Sequence, residues 1–163
     1  MSVPERSRLD AVAASPDGSA AFDSLTADEI HLIRDSYERI SVSLRFARNF
    51  YAMLFDIAPD LRPLFPDDLT AQARKLTEML GVLAGTLDRP LEFAMVLDSL
   101  GHRHRGYAVR STHFAPVGRA LFATLERELG PRFDDATRRA WIALYALASA
   151  LMQHPGFDGA SGE

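Results

Sequence analysis

No cysteine occurs in the 163 residues. That excludes disulfide scaffolds, zinc–thiolate sites, iron–sulfur clusters and thiol catalysis within this chain, and it suits a reducing cytoplasm. Long apolar runs are missing too. None approaches the roughly 18 residues that a membrane-crossing helix needs, so no membrane partner is expected. Glu5, Arg6, Arg8 and Asp10 stand where a secretory leader would carry its apolar segment, which makes a cytoplasmic protein the expectation. Lysine is nearly absent: of 18 basic residues Lys75 is the one lysine, and the others are arginine. The formal net charge of −4 argues against nucleic acid as a partner. Also lacking are alternating strand patterns, an internal repeat and a glycine-rich nucleotide loop, so phosphate and dinucleotide chemistry have no visible site.

What remains is helical periodicity. Residues 1–23 are rich in Ala, Ser, Pro and charge without any period and read as a disordered tail. A domain is expected over 24–153, with 154–163 as a second flexible tail. Thr26 followed three residues later by Glu29 is a capping box, opening a helix near 27–39. A second helix is expected over 41–56, with Leu44, Ala47, Tyr51, Leu54 and Phe55 on one face, widened by Phe46 and Phe50. Pro59 suits the first turn of a short third helix ending near Leu64, and Phe65-Pro66-Asp67-Asp68 reads as a turn. Leu69, Ala73, Leu76, Leu80, Leu83 and Leu87 then repeat at alternating four- and three-residue steps, a strong amphipathic signal. Asp88-Arg89-Pro90 is expected to break it. A fifth helix runs over 91–105, a sixth over 113–129 stopped by Gly130-Pro131, and a seventh over 136–152 capped by Asp134 or Asp135. The fold class is all-α.

Candidate chemistry centres on Leu100-Gly101-His102-Arg103-His104. His104 continues the apolar stripe of Phe93, Leu97 and Leu100, whereas His102 lies about 200° away around the helix, toward the polar side. His31, His113 and His154 are scattered over other elements, too few and too dispersed for a protein-only zinc site. Left with one inward histidine, the residues admit two readings. One is a core histidine bonded to a backbone carbonyl. The other is a metal ligand whose remaining equatorial ligands come with a cofactor, as in haem.

The sequence resembles the globins, in particular bacterial single-domain globins, with similarity to flavohaemoglobin haem domains and to neuroglobin. Phe50-Tyr51-Ala52-Met53-Leu54-Phe55, then Ala58-Pro59-Asp60-Leu61-Arg62-Pro63-Leu64-Phe65, match the family's second and third helices. Leu100 to His104 match its proximal motif, Phe114-Ala115-Pro116-Val117-Gly118 the opening of the next helix, and Ala140-Trp141 with Tyr145 the last. The resemblance covers about Leu25 to Met152. It implies a globin fold, a three-on-three helical sandwich with steep crossings around haem b, iron protoporphyrin IX. It implies His104 as the proximal iron ligand and Phe65 as the aromatic against the haem face, although a plain core phenylalanine would be buried in the same way. Leu100, Val109, Phe114 and Val117 fall at proximal contact positions, and Lys75 at the rim can reach a propionate or stay solvated.

Tyr51, Gln72 and Leu76 fall at the three positions facing bound ligand. On the residues alone, Tyr51 reads as a core tyrosine with its hydroxyl at an edge, and Gln72, beside the core stripe, can equally point outward. Where many globins offer histidine this chain has Gln72, and Ser41 to Leu87 contain no histidine. A phenol and a carboxamide can both donate to bound O₂, each worth roughly 1–3 kcal/mol when well aligned. Phe114 stands where flavohaemoglobin haem domains place a tyrosine bonded toward the proximal histidine, so the resemblance does not extend to that bond. Nor does a flavin or nicotinamide motif follow. The resemblance implies reversible binding of O₂ and of the diatomic ligands NO and CO, for oxygen delivery or storage. The alternative is a nitric oxide dioxygenase fed by a separate reductase, and a haem-based gas sensor is a third reading.

Overall fold

The structure is a computed structural model that describes residues 25–106 and 111–153, the side chains of 104–106 and 111 excepted. Both expected tails lie outside this range. Among the described residues there are six α-helices and no strand: α1 Ala27–Ile40, α2 Arg45–Ile57, α3 Thr70–Thr86, α4 Pro90–Gly106, α5 Phe114–Leu129 and α6 Asp135–Gln153. Three 3-10 segments, Pro59–Leu64, Ser111–His113 and Gly130–Arg132, join them. None of the described helices is long and apolar enough to cross a membrane.

Local chemistry sets several of the helix ends. The Thr26 hydroxyl accepts from the Glu29 N–H at 3.1 Å, and the Glu29 carboxylate accepts from the Thr26 N–H at 3.3 Å. Asp134 is the residue that caps α6, accepting from the Thr137 N–H at 2.9 Å. Gly130 ends α5 with a φ of 55°, a left-handed conformation that a side chain would strain.

Two expectations need correction. The second helix starts at Arg45 rather than at 41, because the Ser41 N–H closes back on the Tyr37 carbonyl and the Ser43 hydroxyl accepts from the Arg45 N–H. Residues 41–44 thus form a connection, with Val42 83% exposed. The expected break does separate the next two helices, at 87–89, but Pro90 is the first residue of α4 rather than the last of the break, where its missing N–H would have had no helical partner anyway.

The core is built from the predicted faces. Ile33, Ala47, Leu54, Ala73, Leu87, Phe93, Leu97, Leu125, Trp141 and Leu147 are at most 1% exposed, and each large one contributes roughly 1.5–3 kcal/mol by leaving water. α2 packs on α5, α1 and α4 both pack on α6, and α3 touches α1, α2 and α4.

Polar clamps fix these pairings. The Tyr37 hydroxyl donates to the Thr77 carbonyl at 3.0 Å, tying α1 to the middle of α3. Arg34 donates to the Ala84 carbonyl at 2.8 Å and pairs with Asp88 at 2.8 Å, closing the C-terminal end of α3. Arg45 and Asn49 of α2 both donate to Glu128 of α5. Burial raises the Glu128 pKa, but these donors outweigh it and hold the carboxyl below its usual range. Gly101 lets α4 lie directly on α6: a Cβ there would stand 2.9 Å from the Met152 carbonyl oxygen and 3.1 Å from its Cα, backbone atoms that cannot step aside.

Candidate functional site

The site is assembled from α2, α3 and the segment between them. Tyr51 sits in the middle of α2, where the apolar face turns inward, and is 5% exposed. Its ring stacks on Phe55 with centroids 6.1 Å apart and meets Phe65 edge-on at 5.4 Å. Phe65 in turn meets Phe55 edge-on at 5.4 Å, so the three rings close a triangle. Phe50 adds an edge contact to Tyr51 from the other side at 5.0 Å.

Gln72 lies in the first turn of α3. That turn is set by Asp68, whose carboxylate accepts from the Thr70 N–H at 3.0 Å, a bond that holds its pKa below the usual range. The start of the helix thus leaves Gln72 half-buried, with its carboxamide close enough to Tyr51 to act on the phenol. Burial pushes the Tyr51 phenol up to about 12, the Gln72 carboxamide pulling the other way. A phenol with that pKa keeps its proton, and so remains a donor, across the whole neutral range.

The other expected site residues are placed as follows. Phe65, Leu76, Leu100, Phe114 and Val117 all pack against the core and are only partly buried by protein. Lys75 is exposed on α3 and His102 is exposed on α4. The backbone of His104 lies in the last turn of α4, but its side chain is outside the described residues, as is Val109 altogether. The structure therefore brings Tyr51, Phe65 and Gln72 together directly. Among the described residues it leaves Leu76, Leu100, Phe114 and Val117 only partly covered. Half-covered apolar side chains, with Tyr51 and Gln72 as neutral donors, are what a flat, largely apolar group such as haem would complete, so these residues fit it.

Two contacts carry no sequence signal. The Tyr145 hydroxyl of α6 donates to the Phe114 carbonyl, pinning the start of α5 to the last helix. Burial raises the Tyr145 phenol to about 12 as well. The Arg62 guanidinium donates to the carbonyls of Phe65, Pro66 and Asp67. A side chain reaching carbonyls at the far end of its own loop leaves no period or motif to read.

Comparison with known proteins gives a consistent picture. The family model described as Globin matches residues 48–152. The chain is 30% identical over 108 residues to a flavohemoprotein from Bordetella pertussis, covering 64% of this chain and 27% of that one. It thus spans about a quarter of the length of the flavohemoproteins it matches. It is 26% identical over 146 residues to neuroglobin from Danio rerio, covering 80% of this chain and 92% of the relative. A solved bacterial globin from Campylobacter jejuni superposes with a TM-score of 0.64 at 22% identity, covering 74% of this chain and 88% of that one.

The two raised phenols generate a measurable pH dependence. An unfolded tyrosine ionises near 10, whereas Tyr51 and Tyr145 hold their protons to about 12. Their contribution to stability is fully present below pH 10 and is lost as pH rises through about 12. Tyrosine labelled isotopically at Cζ should show two resonances titrating late by NMR, and Tyr51→Phe should remove one. An ordinary midpoint for Tyr51 would mean that its hydroxyl reaches solvent.

Proposed function

The chain belongs to the globin family, whose members bind haem and diatomic gases, and from that premise we propose that it holds haem b through His104 and binds O₂ reversibly beside Tyr51 and Gln72. When bound, the haem would supply an iron able to take a diatomic gas, with His104 as the residue that would hold it. Everything else falls to the chain. The observation that carries the reading is the Tyr51–Gln72 pair: a buried phenol and a half-buried carboxamide, two neutral donors in a site walled by Phe55 and Phe65. O₂ accepts electron density when it binds a ferrous centre, so donors aimed at it act where charge develops. In a water-excluded site each contributes roughly 1–3 kcal/mol against ligand loss. CO develops less charge and should gain less, so the pair favours O₂.

In this reading Phe65 and Leu76 keep water from the gas-binding face. Leu100, Val109, Phe114 and Val117 cover the proximal face, and Lys75 at the rim pairs with a propionate. Phe114 has no hydroxyl to offer His104, and the Tyr145 phenol is already committed to the Phe114 carbonyl. In this reading the imidazole of His104 donates its second nitrogen to a backbone carbonyl, which leaves it a neutral ligand rather than an electron-rich one.

A second reading is nitric oxide dioxygenation, favoured by the match to flavohemoproteins. There NO and O₂ combine to nitrate, and one electron from a flavin reductase, on the same or another polypeptide, restores the ferrous state. The same two donors serve both readings. What separates them is the supply of electrons.

His104→Ala should abolish or strongly weaken haem incorporation, while His102→Ala, at an exposed position, should retain it; a normal Soret band in the first variant would remove His104 as the ligand. Tyr51→Phe should raise the O₂ dissociation rate about tenfold or more by stopped flow, the effect of losing a hydrogen bond of roughly 1.4 kcal/mol. An unchanged rate would show that the hydroxyl does not face the ligand. Mixing the O₂-loaded protein with nitric oxide should give nitrate once. Sustained nitrate formation on adding a flavin reductase and nicotinamide would favour the enzyme.

A further inference from the structure

Arg62 lies in the 3-10 segment Pro59–Leu64, between the helix that carries Tyr51 and the helix that carries Gln72. One guanidinium nitrogen donates to the Phe65 carbonyl at 3.2 Å and to the Pro66 carbonyl at 3.0 Å, and a second donates to the Asp67 carbonyl at 3.1 Å. The backbone of Arg62 completes the loop, since its own carbonyl accepts from the Phe65 N–H at 3.1 Å. Phe65 is thus held by Arg62 through both its N–H and its carbonyl. The same guanidinium lies over the Phe55 ring, 5.1 Å from the centroid.

These contacts converge on one residue. Phe55 and Phe65 are two of the three rings that meet Tyr51, one stacked and one edge-on, the third being the buried Phe50. Both are only half-buried, so core packing alone does not lock them. Arg62 holds one from its backbone and the other from its face. The chemistry calls for arginine in particular. A planar fork with five N–H donors can reach several carbonyls while stacking on a ring, whereas a lysine ammonium is a point charge that cannot do both.

We propose that Arg62 is a positioning residue for the gas-binding site: by fixing the 65–67 backbone and capping Phe55 it holds both rings against Tyr51 and so fixes where the Tyr51 hydroxyl stands beside Gln72. Arg62 touches neither the ligand nor Gln72 in this account; it acts through the aromatic triangle. The inference rests on the reading of Tyr51 as a ligand donor, and its test separates the two.

The test compares Arg62→Met, which keeps an unbranched side chain but no donor, with Arg62→Lys in the haem-loaded protein. Two quantities are read: the titration midpoint of Cζ-labelled Tyr51 in the carbon monoxide form, and the O₂ dissociation rate. In Arg62→Met the Tyr51 midpoint should fall from about 12 toward the ordinary tyrosine value, and O₂ dissociation should rise roughly three- to tenfold. In a Tyr51→Phe background the same substitution should leave O₂ dissociation unchanged, since nothing remains to be aimed. Arg62→Lys should shift both quantities the same way by less, and it carries the test alone if Arg62→Met does not fold. A lowered melting temperature with the Tyr51 midpoint and the dissociation rate unmoved would overturn the proposal, leaving Arg62 as a loop clamp only. So would a lysine variant indistinguishable from wild type, or an Arg62 effect that persists in full without the Tyr51 hydroxyl. If Tyr51→Phe itself leaves O₂ dissociation unchanged, the donor reading falls, and the Tyr51 midpoint in Arg62→Met still decides whether Arg62 positions the phenol.

Discussion

A phenol removed from water needs a polar group beside it, and at Tyr51 that group is the Gln72 carboxamide. Much of this half of the protein can be understood as what bringing the two together requires. α2 has to turn Tyr51 inward, which its run of Phe46, Ala47, Phe50 and Leu54 ensures by burying that face. α3 has to begin where its first turn carries Gln72 to the same place, and the Asp68–Thr70 bond sets that beginning. The chain between them has to return without leaving its carbonyls unsatisfied, and Arg62 answers three of them at once. Burial then does something useful in return. It makes the phenol harder to ionise, so the group that is costly to bury is also a dependable neutral donor.

The rest of the frame is stiffer and less chemical. Exposed ion pairs such as Arg39–Asp35 contribute little by themselves. The clamps that matter end on another helix's backbone or on a half-buried acid: Tyr37 on Thr77, Arg34 on Ala84, Arg45 and Asn49 on Glu128. Within that frame Leu76, Leu100, Phe114 and Val117 remain only partly covered. In the proposed reading the same two donors serve gas binding and gas chemistry alike, and the supply of electrons separates the two.

Helix number, most helix ends and the inward faces were legible in the sequence, as was the family. Thr26 with Glu29, Pro59, Asp134 and Gly130 each encode a terminus within four residues of chain, and apolar periodicity encodes a face over a single helix, so no knowledge of distant residues is needed. Where local reading slipped, at 41–44, a backbone bond from Ser41 and a side-chain bond from Ser43 shifted the boundary. The role of His104 came from the motif around it and from the family, since a lone inward histidine has two physical explanations.

Tertiary structure alone decided the partners. Gln72 stood beside the apolar stripe, free to turn either way, until the packing of α2 against α3 put the Tyr51 hydroxyl within its reach. Tyr145 read as one more core aromatic until α6 placed its hydroxyl against the Phe114 carbonyl. Arg62 was one arginine among many until the 59–68 segment curled its own carbonyls and the Phe55 ring around it. Periodicity says which way a side chain faces and caps say where a helix stops, because both are local properties of the chain. The partner of a hydrogen bond between elements is set by how those elements pack, and no spacing along the sequence contains it.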